Sequence, residues 1–215
     1  MDKRTLTKYI VAFTYGDGYL DSDSAKKYSR FQANNIIDNK DYVEWRAGIL
    51  RNLTEVTIKE VEDTRHSNRK TILSTLTRQH PMYSKVRSRL YLNRRKVIDP
   101  HYLTLMDWET LAILYMDDGS LRDVTQNYKG RIYHNYYPNI ATCNYSYGDN
   151  WLLKKAIKEI LGIEFNINKH SVNKNGEQIY MLVLRASSRD RFFEGVRQYI
   201  LPSFEYKVRT QNPLK

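Results

Sequence analysis

Residues 10–18 read IVAFTYGDG, and residues 111–119 read LAILYMDDG. Each is an apolar run of helical character that ends in Asp-Gly. A chain that carries this pattern twice is constrained to build one substructure and then build it again. The C-terminal end of a helix already bears partial negative charge, so an acid there calls for a cation nearby. Gly18 and Gly119 read as left-handed helix caps. Asp17 and Asp118 have no such local reason, and a cationic group is expected beside each.

The segments after the two runs follow one order. In the first half, YLDSDSAKKYSRFQANNI reads as two strand-like pieces around a turn, and a helix is expected over about Lys40–Leu53. EVTIKEVEDT, the turn RHSNRK and TILSTLTRQ then form a β-hairpin, and a helix at about Tyr83–Leu92 closes the half. In the second half a strand leads into a long polar connection (123–136) and the strand-like NIATCNYS. A helix at about Asp149–Leu161 follows, then a hairpin turning at Asn175-Gly176, and a last helix at about Ser188–Ile200 starting from a Ser cap. Pro100 breaks any helix in the connection 93–107, and Thr104 can cap the next one. The expectation is an α+β chain of two tandem half-domains, 1–100 and 101–215, each in the order α-β-β-α-β-β-α.

Composition narrows the partner. A net charge of +11 favours a polyanion, and the 18 tyrosines offer stacking faces and phosphate hydrogen bonds. The apolar runs are too short to span a bilayer, and the N-terminus MDKRTLTKYI lacks a signal-peptide core. Cys143 is the single cysteine, which excludes an internal disulfide and a cysteine-cluster metal site. His66, His80, His101, His134 and His170 lack the spacing of a zinc centre. An intracellular protein without membrane attachment is the expectation.

If the two helices pair about a pseudo-twofold axis, Asp17 and Asp118 come side by side, with Ala12, Gly16 and Ala112 permitting close approach. Two adjacent carboxylates do not both ionise cheaply, and a divalent cation removes that penalty. Hard oxygen ligands select Mg²⁺, and metal ions between attacking and leaving oxygens suit in-line hydrolysis of a phosphodiester.

With those residues in view, the sequence resembles the LAGLIDADG homing endonucleases of the single-chain, two-motif type. IVAFTYGDG and LAILYMDDG align with the nine-residue signature, and the likeness spans nearly the whole chain. The resemblance implies the homing endonuclease fold, with antiparallel saddle-shaped sheets lying in the DNA major groove. It implies a monomeric, site-specific double-stranded DNA endonuclease with a long, asymmetric target and Mg²⁺ as cofactor, Mn²⁺ substituting. Asp17 and Asp118 inherit the metal-binding role, with Gly16 and Asp117 beside them as further metal-site positions. Lys96 and Lys207 match the lysine near the end of each half that stands by the scissile phosphate. Gln32 matches the second-strand glutamine that holds solvent, with Thr142 its loose counterpart. Two positions depart from the signature: Ile113 replaces a small residue, and Tyr15 and Met116 replace the first acid.

Strand alternation would aim every second side chain of such sheets at base edges. The candidate DNA-binding residues are Arg30, Gln32, Lys59, Arg65, Arg69, Lys70 and Arg78 in the first half. Lys129, Arg131, Lys169, His170, Lys174, Gln178 and Arg185 are those of the second. Two rival readings share the fold: a maturase bound to intron RNA, and a DNA-binding regulator that has lost cleavage. Both acids are present, which favours cleavage. No splicing cysteine or serine block flanks the chain, which argues against an intein.

Overall fold

The computed structural model describes residues 1–21, 27–63 and 70–210. The chain packs as two units, Met1–Arg94 with Leu201–Ser203, and Arg95–Ile200 with Phe204–Lys215.

In the first unit, α1 (Lys3–Tyr15) starts at Asp2, whose carboxylate accepts from the Arg4 and Thr5 N–H groups at 2.8 and 3.1 Å. From Ile10 to Tyr15 every residue of α1 is buried. Then come β1 (Tyr19–Asp21), β2 (Arg30–Ile36), α2 (Lys40–Leu50), β3 (Val56–Asp63), β4 (Lys70–Thr77) and α3 (Pro81–Leu90). A short β5 (Tyr91–Leu92) ends the unit. The four main strands form an antiparallel sheet in the order β1-β2-β4-β3.

Its pleat sets two faces. Leu20, Phe31, Ala33, Leu73 and Thr75 turn to the core, while Gln32, Asn34 and Lys59 take the open face. Phe13 packs edge-on to Phe31 and Trp45, with centroids 6.2 and 5.7 Å apart. Arg46 on α2 is fully buried beneath the sheet. Its Nη2 donates to Asn35 Oδ1 at 2.6 Å, and its guanidinium lies 5.1 Å from the Tyr42 ring. That pairing explains why Asn35 is a buried amide on the core side of β2.

The second unit repeats the order. After β6 (Arg95–Lys96) and the one-turn α4 (Pro100–Leu103) come α5 (Trp108–Asp118), β7 (Gly119–Tyr128), β8 (Arg131–Ile140) and α6 (Tyr147–Leu161). β9 (Phe165–Val172), β10 (Gln178–Leu184) and α7 (Arg189–Arg197) complete it, and a 3-10 turn, Pro202–Lys207, follows. The sheet order β7-β8-β10-β9 is that of the first unit with the strands renumbered. Leu111–Met116 are all buried, and Phe192 packs edge-on to Tyr115 with centroids 5.0 Å apart. Trp108 packs against Gly195, where any Cβ would stand 2.2 Å from its ring, so α5 and α7 cross closely.

Several expectations change here. Pro100 does not break a helix but begins α4, at the first-turn position where its missing N–H costs nothing. Asp107, not Thr104, caps α5, in a reciprocal capping box with Thr110. Ser188 makes no cap bond to α7, because its hydroxyl accepts from the Glu164 N–H at 2.9 Å. The long polar connection 123–136 is instead two ten-residue strands joined at Lys129-Gly130, with φ of 51° and 78°. That is a two-residue turn of the mirror-image type that suits strand twist. Gly18 and Gly119 are not left-handed caps either: Gly119 is extended, with φ −83° and ψ 153°. They are required by space. A Cβ on Gly18 would lie 2.5 Å from the Phe13 carbonyl oxygen, and one on Gly119 2.1 Å from the Tyr115 ring.

Candidate active site and nucleic-acid interface

In the first unit the chain leaves α1 through Gly16, whose N–H still donates to Ala12 O, and returns at Gly18, whose N–H donates to Phe13 O at 2.8 Å. Between these two buried glycines Asp17 is pushed outward and exposed. It lines a cleft of about 400 Å³ together with Tyr19, Gln32, Ala33, Asn34 and Ser74. Cross-strand register accounts for the grouping: Tyr19 pairs with Gln32, and Asn34 with Ser74, on the open face of the sheet. Asp17 and Gln32, expected to work together, are thus brought to one cleft.

In the second unit Asp118 is the last residue of α5, and Asp117 precedes it; both are half-buried. The Asp118 carbonyl accepts from the Ala141 N–H at 2.8 Å, which ties the helix end to the exit of β8. Burial pushes the Cys143 thiol pKa up, and the negative charge of Asp118 adds to the shift. Lys207 supplies the cation expected at the helix end. Only 6% exposed, it donates from Nζ to Met116 O at 2.6 Å and to Tyr115 O at 3.4 Å, 5.0 Å from the Phe204 ring. The Tyr115 hydroxyl donates back to Lys207 O at 2.8 Å. The two residues clamp each other, and the positive charge sits where the dipole of α5 is negative.

A surface lysine reaching for phosphate is therefore not what Lys207 is in this structure; its head is engaged by backbone carbonyls. Lys96 is half-buried in β6 and belongs to the second unit. Thr142, the loose counterpart of Gln32, is engaged within its own unit. It is buried, and its hydroxyl donates to Asn150 Oδ1 with Tyr180 O 3.4 Å away, so it holds α6 to the sheet. Among the described residues, no three His, Cys, Asp or Glu side chains cluster as a metal-binding group.

The DNA-reading candidates divide. Gln32 and Lys59 stand on the open face of the first sheet, and Arg30 shares it, 3.2 Å from Asp21 Oδ2. Arg78, just past β4, pairs with Glu55 at 2.8 Å. Lys70 opens β4, and Arg65 and Arg69 lie outside the described residues. In the second unit, Lys129 and Arg131 flank the β7–β8 turn. Lys174 is exposed in the loop before Gly176 (φ 80°). Gln178 donates to the Ser171 and Ile179 carbonyls, and Arg185 bridges Glu164 and Asn166 at 2.6 and 2.9 Å. His170 is the extra residue of a β-bulge. Lys169 pairs with Tyr180, on the helix-side face shared by Phe165, Ile167 and Leu182. It does not project with the open-face set.

Register also reveals open-face residues that the sequence reading missed: Asn34 and Ser74 in the first sheet, and Arg122, Asn135, Tyr137, Asn166 and Asn168 in the second. In β2 the signal was there, as Phe31, Ala33 and Asn35 alternate with Gln32 and Asn34. In β7 and β8 both faces are polar toward the turn, where the strands run beyond the core, so alternation is lost.

This arrangement of two α-β-β-α-β-β-α units is the homing endonuclease fold. The homing endonuclease I-WcaI bound to its DNA recognition sequence is similar at a TM-score of 0.81 and 19% identity, over 98% of this chain and 88% of that one. I-DmoI in complex with DNA and Ca is similar at 0.55 and 14% identity, over 90% and 89%. The LAGLIDADG DNA endonuclease family model matches residues 14–192, and the chain belongs to that family. Among curated proteins, Protein RecA of Mycolicibacterium chitae is 25% identical over 208 residues, 93% of this chain and 45% of its own length. Uncharacterized protein MJ1098 of Methanocaldococcus jannaschii is 27% identical over 133 residues, 62% of this chain and 46% of its own. The chain spans about half the length of these relatives. Among the described residues no helix is long and apolar enough to cross a membrane.

Proposed function

We propose that this protein is a site-specific double-stranded DNA endonuclease that hydrolyses phosphodiester bonds at a long, asymmetric target with a divalent metal ion. The observation that carries the reading is the cleft of the first unit. There an exposed carboxylate closing the family signature, Asp17, meets Gln32, Asn34 and Ser74 on the face of an antiparallel sheet.

The donor set fits a hard cation. Carboxylate, amide and hydroxyl oxygens suit Mg²⁺, with Mn²⁺ as a substitute, and no soft ligand lines the cleft. With no three-residue acidic or His cluster among the described residues, the remaining ligands would be water, backbone and DNA phosphate. When bound, the ion supplies Lewis-acid stabilisation of the negative charge that builds on the phosphoryl oxygens.

The chain's own residues do the rest. Asp17 and Asp118 would hold the metal, and Gln32 orients solvent in the Asp17 cleft through its amide. Lys207 neutralises the end of α5 and fixes the turn that presents Asp118. Lys96 is the cation proposed to stabilise charge at the phosphate. The open faces of the two sheets read base edges in the major groove, and their different side chains make the target asymmetric.

Asp17→Asn and Asp118→Asn keep side-chain shape but weaken metal binding. Each variant is expected to lose double-strand cleavage while retaining affinity for its duplex in Ca²⁺. The measurement is a cleavage screen on a randomised duplex library in Mg²⁺, followed by gel-shift binding on the selected target. Full cleavage by either variant would refute the site assignment.

A further inference from the structure

The open face of the first sheet carries Gln32, Asn34, Ser74 and Lys59 near the Asp17 cleft, with Leu76 beside Gln32, and becomes wholly apolar two residues beyond the rung of Asn34, Ser74 and Lys59. Ile36 on β2, Ile72 on β4 and Val61 on β3 are register partners, so they form one row straight across three strands on the face that carries Gln32, Asn34 and Lys59. Ile36 is 47% exposed and Val61 39%, while Ile72 between them is 8% exposed. Ile36 and Val61 are presented outward on this face, with Ile72 buried between them. Strand positions open to solvent ordinarily carry polar groups, so an aligned apolar row needs an apolar counterpart.

Its neighbours point to which one. The adjacent rung carries Asn34, Ser74 and Lys59, the Asp17 cleft opens on the same face, and the chain's net charge is +11. An occupant must then be polyanionic overall and apolar locally. The major groove offers one apolar feature, the C5-methyl of thymine. Three strands at ~4.8 Å spacing span about 10 Å, the reach of roughly three base steps at 3.4 Å. We infer that Ile36, Ile72 and Val61 form a thymine-methyl reader that favours T over C in a short run of the target. This rests on the proposed DNA-binding role of the sheet face, and it adds which bases one part of that face selects.

The test uses the duplex that the 215-residue protein selects from a randomised library in Ca²⁺. Each thymine is replaced singly by deoxyuridine, which deletes the methyl and leaves pairing intact. One to three neighbouring positions are expected to bind about fourfold more weakly, the worth of one buried carbon. In Ile36→Ala/Val61→Ala, both exposed and so tolerated by the fold, that penalty should vanish while penalties elsewhere persist. If a duplex is selected but no deoxyuridine substitution weakens binding, the methyl reader is refuted and the DNA-binding reading stands. Unchanged penalties in the double variant also refute it. If no duplex is selected, the DNA-binding reading itself falls and takes this inference with it.

Discussion

Replacing Lys207 by methionine tests the clamp beneath α5. The methionine keeps most of the stem's packing against Phe204 but removes the ammonium, which leaves the Met116 carbonyl, now bonded at 2.6 Å, without that donor. A hydrogen bond from a charged group contributes about 1.5–3 kcal/mol, and a cation at a partly buried helix C-terminus adds up to ~2 kcal/mol. The two contributions overlap, so the expected loss is about 2–4 kcal/mol. For a chain of this size each kcal/mol lowers Tm by roughly 2–4 °C, so melting should fall by about 5–15 °C. Thermal unfolding followed by circular dichroism measures this directly. Because Lys207 is only 6% exposed, the loss should persist in high salt, unlike that of a surface ion pair. A loss below about 0.5 kcal/mol, or one erased by salt, would show that the ammonium does not hold the helix end and would refute the argument.

Gly119→Ala forces a Cβ to 2.1 Å from the Tyr115 ring and 2.2 Å from its carbonyl oxygen, so a loss of about 3 kcal/mol is expected in chemical denaturation. Gly48→Ala on α2 meets nothing within 4 Å and should instead stabilise by about 0.5–1 kcal/mol. Arg46→Met should cost clearly less than Arg46→Ala, about 1–2 against 3–5 kcal/mol by denaturant melts, because methionine fills the buried stem's volume and takes the charge away. Asp41 gives a pH prediction. Burial raises its carboxyl pKa, but hydrogen bonds from Ser203, whose N–H donates at 3.1 Å, outweigh that and hold it below the ordinary 3.8. A depressed pKa adds stability that is present above the unfolded value and is lost as pH falls through the folded one. The Tm gap between the wild type and Asp41→Asn should therefore close below that value and be constant at neutral pH.

The repeat order of elements was legible because each half alternates a 3.6-period apolar run with two strand pairs, and those periods survive single substitutions. Asp17 and Gln32 were legible as residues, but their shared cleft follows from the Tyr19–Gln32 register, which no local pattern encodes. Lys207 was found by its position near the end of the second half, but the contacts of its ammonium were not legible. Nothing local to FEYKV tells that its ammonium folds onto carbonyls of residues 115 and 116. The β7–β8 hairpin was misjudged for a different reason. Lys129-Gly130 is a turn signal, but strands that leave the core lose hydrophobic alternation, and a polar stretch then reads as a loop. The glycines of the two signatures were read as conformational, whereas tertiary crowding by Phe31 and Tyr115 explains them.

The two acids are also anchored unequally. Asp118 closes a helix whose end is pinned by Ala141 and Lys207, whereas Asp17 stands outside its helix between two glycines. Subunits related by exact symmetry would have to share one solution, but halves fused in a single polypeptide are free to drift apart. Under the proposed cleavage the two strands need not be cut together, and a singly nicked circle accumulating before the linear product would be the trace of that divergence.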